Sequence, residues 1–318
     1  MHLFPALALL RENHPDAVAD FVVNPEFMPL LDFSPLPIRR RIGFERGKLG
    51  SWRGFLPGMR ELLREIRRDR YDFAVDFQGL FRSGFVTGCA RAEVRAGFAA
   101  PREPSAKIFY NRAIPVSPGH AVDRCGELAR KLWGLSGVLR YVPLPENAAG
   151  AAELPPLPER FAVLLPGTRW ESKRFPPEFF GRLAAALTRR MPQVQLISAG
   201  GPAERECAER IGHGTLNLAG TTSIGALLEL LRRAEFVAGN DSGPLHAAAA
   251  LGRPVFGFYG STDPVLTGPW GGGAGVFSAG CRCAGCLKRI CPDGSYRCWE
   301  LDAESVAAAI AAKLEGGK

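Results

Sequence analysis

The chain has 318 residues, 46% hydrophobic and 23% charged, which is the length of about two ordinary domains and the composition of a globular protein. That balance excludes a collagen, a coiled coil and a disordered tail, and no apolar run approaches the roughly 18 residues of a membrane-spanning helix. The formal charge of +8 is unevenly placed: residues 1–147 carry 22 Lys and Arg against 16 Asp and Glu, residues 148–318 only 18 against 16. A basic first half points to an anionic partner there, whether a phosphorylated substrate, nucleic acid or acidic membrane surface, although a general preference for Arg, Ala and Gly accounts for it equally well.

In chain order, Met1–Leu10 is apolar but has no basic segment and no small-residue cleavage site, so a signal peptide is not expected. Eight cysteines are too few for a disulfide scaffold of this size, and the expected compartment is the cytoplasm. The opening Met1-His2-Leu3-Phe4-Pro5-Ala6-Leu7 reads as a loop entering a helix. An α/β domain normally starts on a buried strand, so a first strand and its loop are expected to be missing. Buried strands are then expected at Asp20–Val23, Phe73–Asp76, Phe161–Leu165, Gln195–Ala199, Glu235–Ala238 and Pro254–Tyr259. Helical spacing marks Leu56–Arg68, Ala121–Leu132, Pro177–Arg189, Ile224–Arg233 and Pro244–Leu251. Alternation of this kind predicts parallel sheets with helices on both faces. Val142–Arg160, with five prolines, reads as a linker. The expected architecture is two α/β domains, 1–147 and 148–318, facing across a cleft, with the last helix returning to the first domain.

Ligands of such sheets bind beyond the carboxyl ends of the strands. Phe161–Leu165 runs into Pro166-Gly167-Thr168-Arg169-Trp170-Glu171-Ser172-Lys173, and Pro177 and Glu178 then open a helix. A Gly-Thr turn offers backbone N–H groups and a hydroxyl to an anion, and Lys173 adds a point charge. Glu235–Ala238 leads into Gly239-Asn240-Asp241-Ser242-Gly243-Pro244-Leu245-His246. A capping residue before a Pro-led helix leaves a helix N-terminus that attracts negative charge. Locally, Asp241 or Ser242 as a plain cap and His246 as a core residue remain open readings, but the two turns together point to a diphosphate. Gly200-Gly201-Pro202-Ala203-Glu204 is either a simple turn or one whose Glu204 accepts from ribose hydroxyls, and Tyr259-Gly260-Ser261-Thr262-Asp263-Pro264 is a polar turn on the same side.

There is no phosphate loop of the Gly-x4-Gly-Lys type, no nucleophile-elbow serine and no zinc-protease motif, and Gly212-His213-Gly214 lacks the third glycine of a dinucleotide fingerprint. No basic run is interleaved with aromatics, so nucleic acid is not an expected partner. Cys281, Cys283, Cys286, Cys291 and Cys298 crowd one segment. The last four have spacing that can form a tetrahedral metal site or remain reduced thiols, and Lys288 and Arg289 among them can meet an anionic substrate.

Leu165-Pro166-Gly167-Thr168, Lys173-Arg174-Phe175-Pro176, Leu218-Ala219-Gly220-Thr221-Thr222-Ser223 and Asn240-Asp241-Ser242-Gly243-Pro244-Leu245-His246 resemble glycosyltransferase family 9, the ADP-heptose:lipopolysaccharide heptosyltransferases. Tyr259–Pro264 fits too. Asp76-Phe77-Gln78-Gly79-Leu80-Phe81-Arg82-Ser83 and His120-Ala121-Val122-Asp123-Arg124 look like the family's acceptor-side motifs. The resemblance implies a GT-B fold of two Rossmann-like domains, donor in the C-terminal one and acceptor in the N-terminal one. It implies inverting transfer of heptose from ADP-heptose to the Kdo/heptose inner core of lipopolysaccharide, without a cofactor or catalytic metal. By it, Thr168, Lys173, Ser242, Gly243 and His246 hold the donor diphosphate, Asp241 contacts or positions the donor sugar, and Glu204 meets the ribose. Lys173 and Asp241 are the residues expected to carry the chemistry, and Gln78, Arg82 and His120 face the acceptor. The basic first half suits an anionic lipid A–Kdo acceptor at the inner membrane surface, with the enzyme cytoplasmic or peripheral there.

One departure stands out. The family carries a Gly-Asp pair, its general base, just before a segment like His2–Leu7; here it would lie upstream of Met1, and a start set too late is the expectation. General-base help is worth roughly 10²–10⁴ in rate. The alternatives are therefore an impaired nucleotide-sugar-binding relative or truncated fragment, or a GT-B enzyme using another nucleotide sugar.

Overall fold

The computed structural model describes residues 1–44, 52–141, 154–271 and 273–316, and the chain divides into two compact units, 2–142 and 143–318. Of the expected linker, residues 142–153 lie outside the described residues, and 154–160 form neither helix nor strand.

The first unit opens with α1 (Phe4–Asn13), which buries every residue from Phe4 to Leu10. Pro5 sits in its first turn, where a missing N–H leaves no bond unmade. A helix apolar on all sides must be covered on all sides, and α1 packs on α4 (Ala121–Trp133). β1 (Ala19–Val23) pairs in parallel with β2 (Ile38–Gly43). β3 (Tyr71–Asp76), β4 (Ala92–Phe98) and β5 (Arg112–Ile114) form a separate parallel sheet in that order. Between them run α2 (Trp52–Ile66) and α3 (Phe81–Cys89).

The two sheets are joined through side chains. Asp20 of β1 accepts from Arg39 Nε (2.9 Å) and Arg40 Nη2 (2.7 Å) of β2 and from the Tyr71 hydroxyl of β3 (2.8 Å). Arg40 Nη2 also donates to that hydroxyl (2.6 Å). Below, Ile42 of β2 shares an apolar cluster with Leu62 and Ile66 of α2 and with Ala90, and Tyr71 and Ala74 of β3 pack at its margin. Burial alone would raise the Asp20 carboxyl; the hydrogen bonds from Arg39, Tyr71 and Arg40 outweigh it and bring it down to about 2.

The second unit is one six-stranded parallel sheet in the order β11-β10-β9-β6-β7-β8, with β6 (Phe161–Leu165), β7 (Gln195–Ser198), β8 (Leu216–Asn217), β9 (Val237–Asn240), β10 (Val255–Tyr259) and β11 (Ala274–Ser278). Helices α5 (Pro177–Arg190), α6 (Arg205–Glu209), α7 (Ile224–Arg233), α8 (Gly243–Ala250), α9 (Pro264–Thr267) and α10 (Ala303–Gly316) connect and cover them. The core is rich in phenylalanine: Phe175, Phe179 and Phe180 stand around Phe258 with ring centroids 5.1–5.8 Å apart. The last helix buries Ala303, Val306, Ala307 and Ile310 in this core and packs along α5.

β6 pairs with β7 on one side and β9 on the other. The connections reverse direction there, so the ends of β6 and β9 form a topological switch point. β9 runs two residues later than its sequence pattern suggested. Glu235 is a surface partner of Arg160, and the strand continues through Gly239, where a Cβ would stand 2.5 Å from the Cβ of Leu165.

Asp20 supplies a test of how the two sheets of the first unit are joined. Its folded pKa lies below the ordinary carboxylate value, so its contribution is complete above about pH 4 and is lost as the pH falls toward about 2. Asp20→Asn is expected to be less stable near neutral pH and to lose less on acidification through that window, as read by denaturant unfolding across the range.

Candidate functional site

Three turns meet at the switch point, after β6, β9 and β10. Asn240, fully buried at the end of β9, fastens the first two: its Nδ2 donates to the Pro166 carbonyl (2.6 Å), and the Phe175 N–H donates to its Oδ1 (3.4 Å). Thr168 Oγ1 donates to the Asp241 carbonyl (3.0 Å). Ser172 Oγ lies 2.8 Å from Ser261 Oγ and joins the turn after β10 to the turn after β6.

At their centre is the Asp241 carboxylate, whose side chain is only 5% exposed. Lys173 Nζ and Thr262 Oγ1 donate to Oδ2, each at 2.7 Å, and His246 Nε2 lies 3.2 Å from Oδ1. Burial by itself would raise this carboxyl. The His246 hydrogen bond and the charge and hydrogen bond of Lys173, with Thr262, overcome it and hold the group well below the usual carboxylate range. The nearby Tyr259 phenol is driven well up, by burial first and then by the Asp241 charge.

Lys173 also lies 4.7 Å from the centre of the Trp170 ring, and the Arg289 guanidinium lies 5.6 Å from the same centre, so two cations share one aromatic platform. Ser242 caps α8 by position, yet its side chain makes no capping bond to the helix. Its Oγ is buried with no partner among the described residues, as is Thr222 Oγ1. A helix N-terminus with an unpartnered hydroxyl and a lysine close by has the features that attract an anion. Glu204 folds over the glycine turn: a Cβ on Gly167 would stand 2.1 Å from Glu204 Cγ, and one on Gly201 would stand 2.9 Å from its Oε2.

The structure therefore gathers Thr168, Lys173, Asp241, Ser242, Gly243 and His246 at one place and sets Glu204 against Gly167. Gln78, Arg82 and His120 belong to the first unit, at the carboxyl ends of β3 and β5. The Gln78 side chain is exposed, while its N–H donates to buried Asp76 (2.8 Å). Arg82 is exposed and makes no ion pair with a described residue. His120 caps α4, with Nδ1 accepting from the Val122 N–H (3.2 Å), and its ring meets that of His2 edge-on at 5.6 Å.

Sequence reasoning gave no part to Thr262, Asn240, Trp170 or Ser172. Thr262 stood in a motif already noted, but nothing in one dimension paired it with Asp241. The cysteine segment fastens to this site. Gly285 and Leu287 N–H donate to the Gly260 and Ser261 carbonyls (3.1 and 2.7 Å), and the Ser172 N–H donates to the Arg289 carbonyl (3.1 Å). The sulfurs of Cys281 and Cys283 are 3.5 Å apart. Among the described residues no three His, Cys, Asp or Glu side chains are grouped as metal ligands.

Two α/β units built on parallel strands, the second with its polar turns gathered at a topological switch point, have the architecture of GT-B glycosyltransferases. The chain belongs to glycosyltransferase family 9 (heptosyltransferase), whose family model matches residues 59–297. It is 31% identical over 306 residues to lipopolysaccharide heptosyltransferase 1 of Pseudomonas aeruginosa, covering 92% of this chain and 83% of that protein. Against lipopolysaccharide heptosyltransferase 1 of Escherichia coli K12 it is 29% identical over 278 residues, 85% of this chain and 87% of that protein. In structure it is similar to the E. coli heptosyltransferase WaaC with ADP, with a TM-score of 0.78 and 27% identity over 98% of this chain and 95% of that one.

Asp241→Asn keeps the shape of the central group but removes its charge. Lys173 is then left partly buried beside a neutral amide. The expected loss is at most about 3 kcal/mol of unfolding free energy, at the low end for a broken buried pair because Lys173 is partly hydrated. Denaturant unfolding at neutral pH measures it.

Proposed function

We propose that this chain transfers heptose from ADP-heptose to the Kdo/heptose inner core of lipopolysaccharide, with inversion at the anomeric carbon. Its relatives are lipopolysaccharide heptosyltransferases over most of its length. A further structure similar to it, with a TM-score of 0.73 and 26% identity over 100% of this chain and 95% of that one, is WaaC with ADP-2-deoxy-2-fluoro heptose. The observation that carries the reading is the buried Asp241 gathering Lys173, His246 and Thr262 beside the uncapped start of α8.

An acceptor hydroxyl oxygen bonds to the anomeric carbon on the face opposite the nucleotide, and its proton passes to water. The bond to the β-phosphate oxygen breaks, and ADP leaves with the electron pair. Negative charge grows on that phosphate. Lys173, the Ser242 hydroxyl and the first N–H groups of α8 are donors fixed before the charge appears, which is where electrostatic catalysis is most effective. Asp241, held ionised far below neutral pH, is a poor proton acceptor; it aims Lys173 and His246. Thr168 braces the Asp241 turn, and Glu204 accepts from ribose hydroxyls. On the acceptor side, exposed Arg82 suits a carboxylate or phosphate held in bidentate fashion, with Gln78 and His120 nearby in the same unit. The acceptor is a membrane glycolipid, so the reaction takes place at the cytoplasmic surface of the inner membrane; no helix among the described residues is long and apolar enough to cross it.

ADP release from ADP-heptose in the presence of a lipid A–Kdo acceptor tests the reading, and a product with unchanged anomeric configuration would contradict inversion. Lys173→Ala is expected to lower kcat by roughly 10²–10³, with the fold intact by circular dichroism. Calorimetry is expected to rank ADP above UDP and GDP. Gly167→Ala, whose new methyl displaces Glu204, should weaken ADP binding in the same direction as Glu204→Ala.

A further inference from the structure

The face of the first unit formed by the start of α3 and the turn 101–109 has no part in the contacts described so far. α3 packs against this turn. The Phe81 ring meets Phe109 edge-on at 5.4 Å, and Phe85 meets Phe109 at 5.8 Å. The Glu103 N–H donates to the Gly79 carbonyl (2.8 Å), and the Phe81 N–H donates to Glu103 Oε2 (2.6 Å). Residues 79–85 and 101–109 therefore form one connected surface.

That surface leaves two large apolar side chains in water: Phe81 is 48% and Ile108 73% exposed. Around them stand Arg82, Arg102 and Lys107, all exposed and none ion-paired with a described residue. The one acid on these two segments, Glu103, is engaged with the Phe81 amide. Apolar tips ringed by uncompensated positive charge match the two layers of a bilayer surface: anionic headgroups for the cations, and the headgroup–acyl boundary for the tips. An acidic protein would satisfy the charges but gives no reason for Ile108 to stand so far into solvent.

We infer that this face docks the N-terminal unit on an anionic lipid surface, with Phe81 and Ile108 entering the headgroup–acyl boundary and Arg102 and Lys107 on lipid phosphates. The inference rests on the proposed function only in that a membrane-borne acceptor gives the docking its use. A chain docked by this face meets its acceptor already close to Arg82, one residue from the inserted ring.

The test is flotation of the full chain with vesicles of phosphatidylcholine alone and of phosphatidylcholine mixed with phosphatidylglycerol. Binding to the mixed vesicles alone, released by salt, is expected. Ile108→Glu, at a position whose exposure leaves the fold untouched, and the pair Arg102→Glu with Lys107→Glu should each reduce the bound fraction roughly tenfold or more. The same variants should release ADP at the wild-type rate with a de-acylated, soluble acceptor. Variants that float like wild type, or a wild-type chain that ignores anionic vesicles, would overturn the inference while leaving transfer to the soluble acceptor as evidence for the enzyme. Absence of any transfer, with vesicle binding still dependent on these residues, would instead remove the proposed function and leave the docking face standing.

Discussion

Taking the Asp241 carboxylate out of water is expensive enough that no single hydrogen bond compensates it, which accounts for the convergence of Lys173, His246 and Thr262 on one group. These partners come from the turn after β6, the first turns of α8 and the turn after β10. Each turn is placed by its own strand, so the carboxylate is satisfied only when three neighbouring strands end in register. Asn240 performs the same service one residue earlier with neutral bonds. The charge that ties the turns together also fixes where Lys173 stands, so the fold and the proposed donor site draw on one interaction.

The N-terminal unit relies on a different device. Its two sheets share no described ladder, and the load passes to a charged cluster around Asp20 and an apolar layer around Ile42. Pairs of this kind are weak where water reaches them and stronger where it does not. The Asp20 side chain is almost fully covered while Arg39 is largely open, so Arg40 and the Tyr71 hydroxyl are the more effective partners.

Much of the second unit was legible in its sequence because fully buried parallel strands are short apolar runs between helices of clear period. Phe161–Leu165 and Ile224–Arg233 appear where the pattern placed them. The first unit was harder to read. β2 carries three consecutive arginines, and its alternation shows only once Arg40 is seen folded onto Asp20 and Tyr71. α3 contains two glycines, a threonine and a cysteine, so its propensity is poor and packing makes the helix. At the site, the residue types were readable and the pairings were not. Lys173 and Asp241 each stood in a recognisable string, but their ion pair, and the ring of Trp170 shared by Lys173 and Arg289, exist only after the chain has folded.

α8 is built almost wholly from small residues, Gly-Pro-Leu-His followed by four alanines. Ala247, Ala248 and Ala250 are buried, and the helix packs on α7, β9 and β10. Such thin walls fix how near the rod's axis lies to the sheet, and through it the height at which Ser242 is delivered. A bulkier side chain on the hidden flank would act as a shim, tilting the rod and shifting Ser242 at its tip. The small residues on the buried flank thereby set the position of Ser242 without standing at the site themselves.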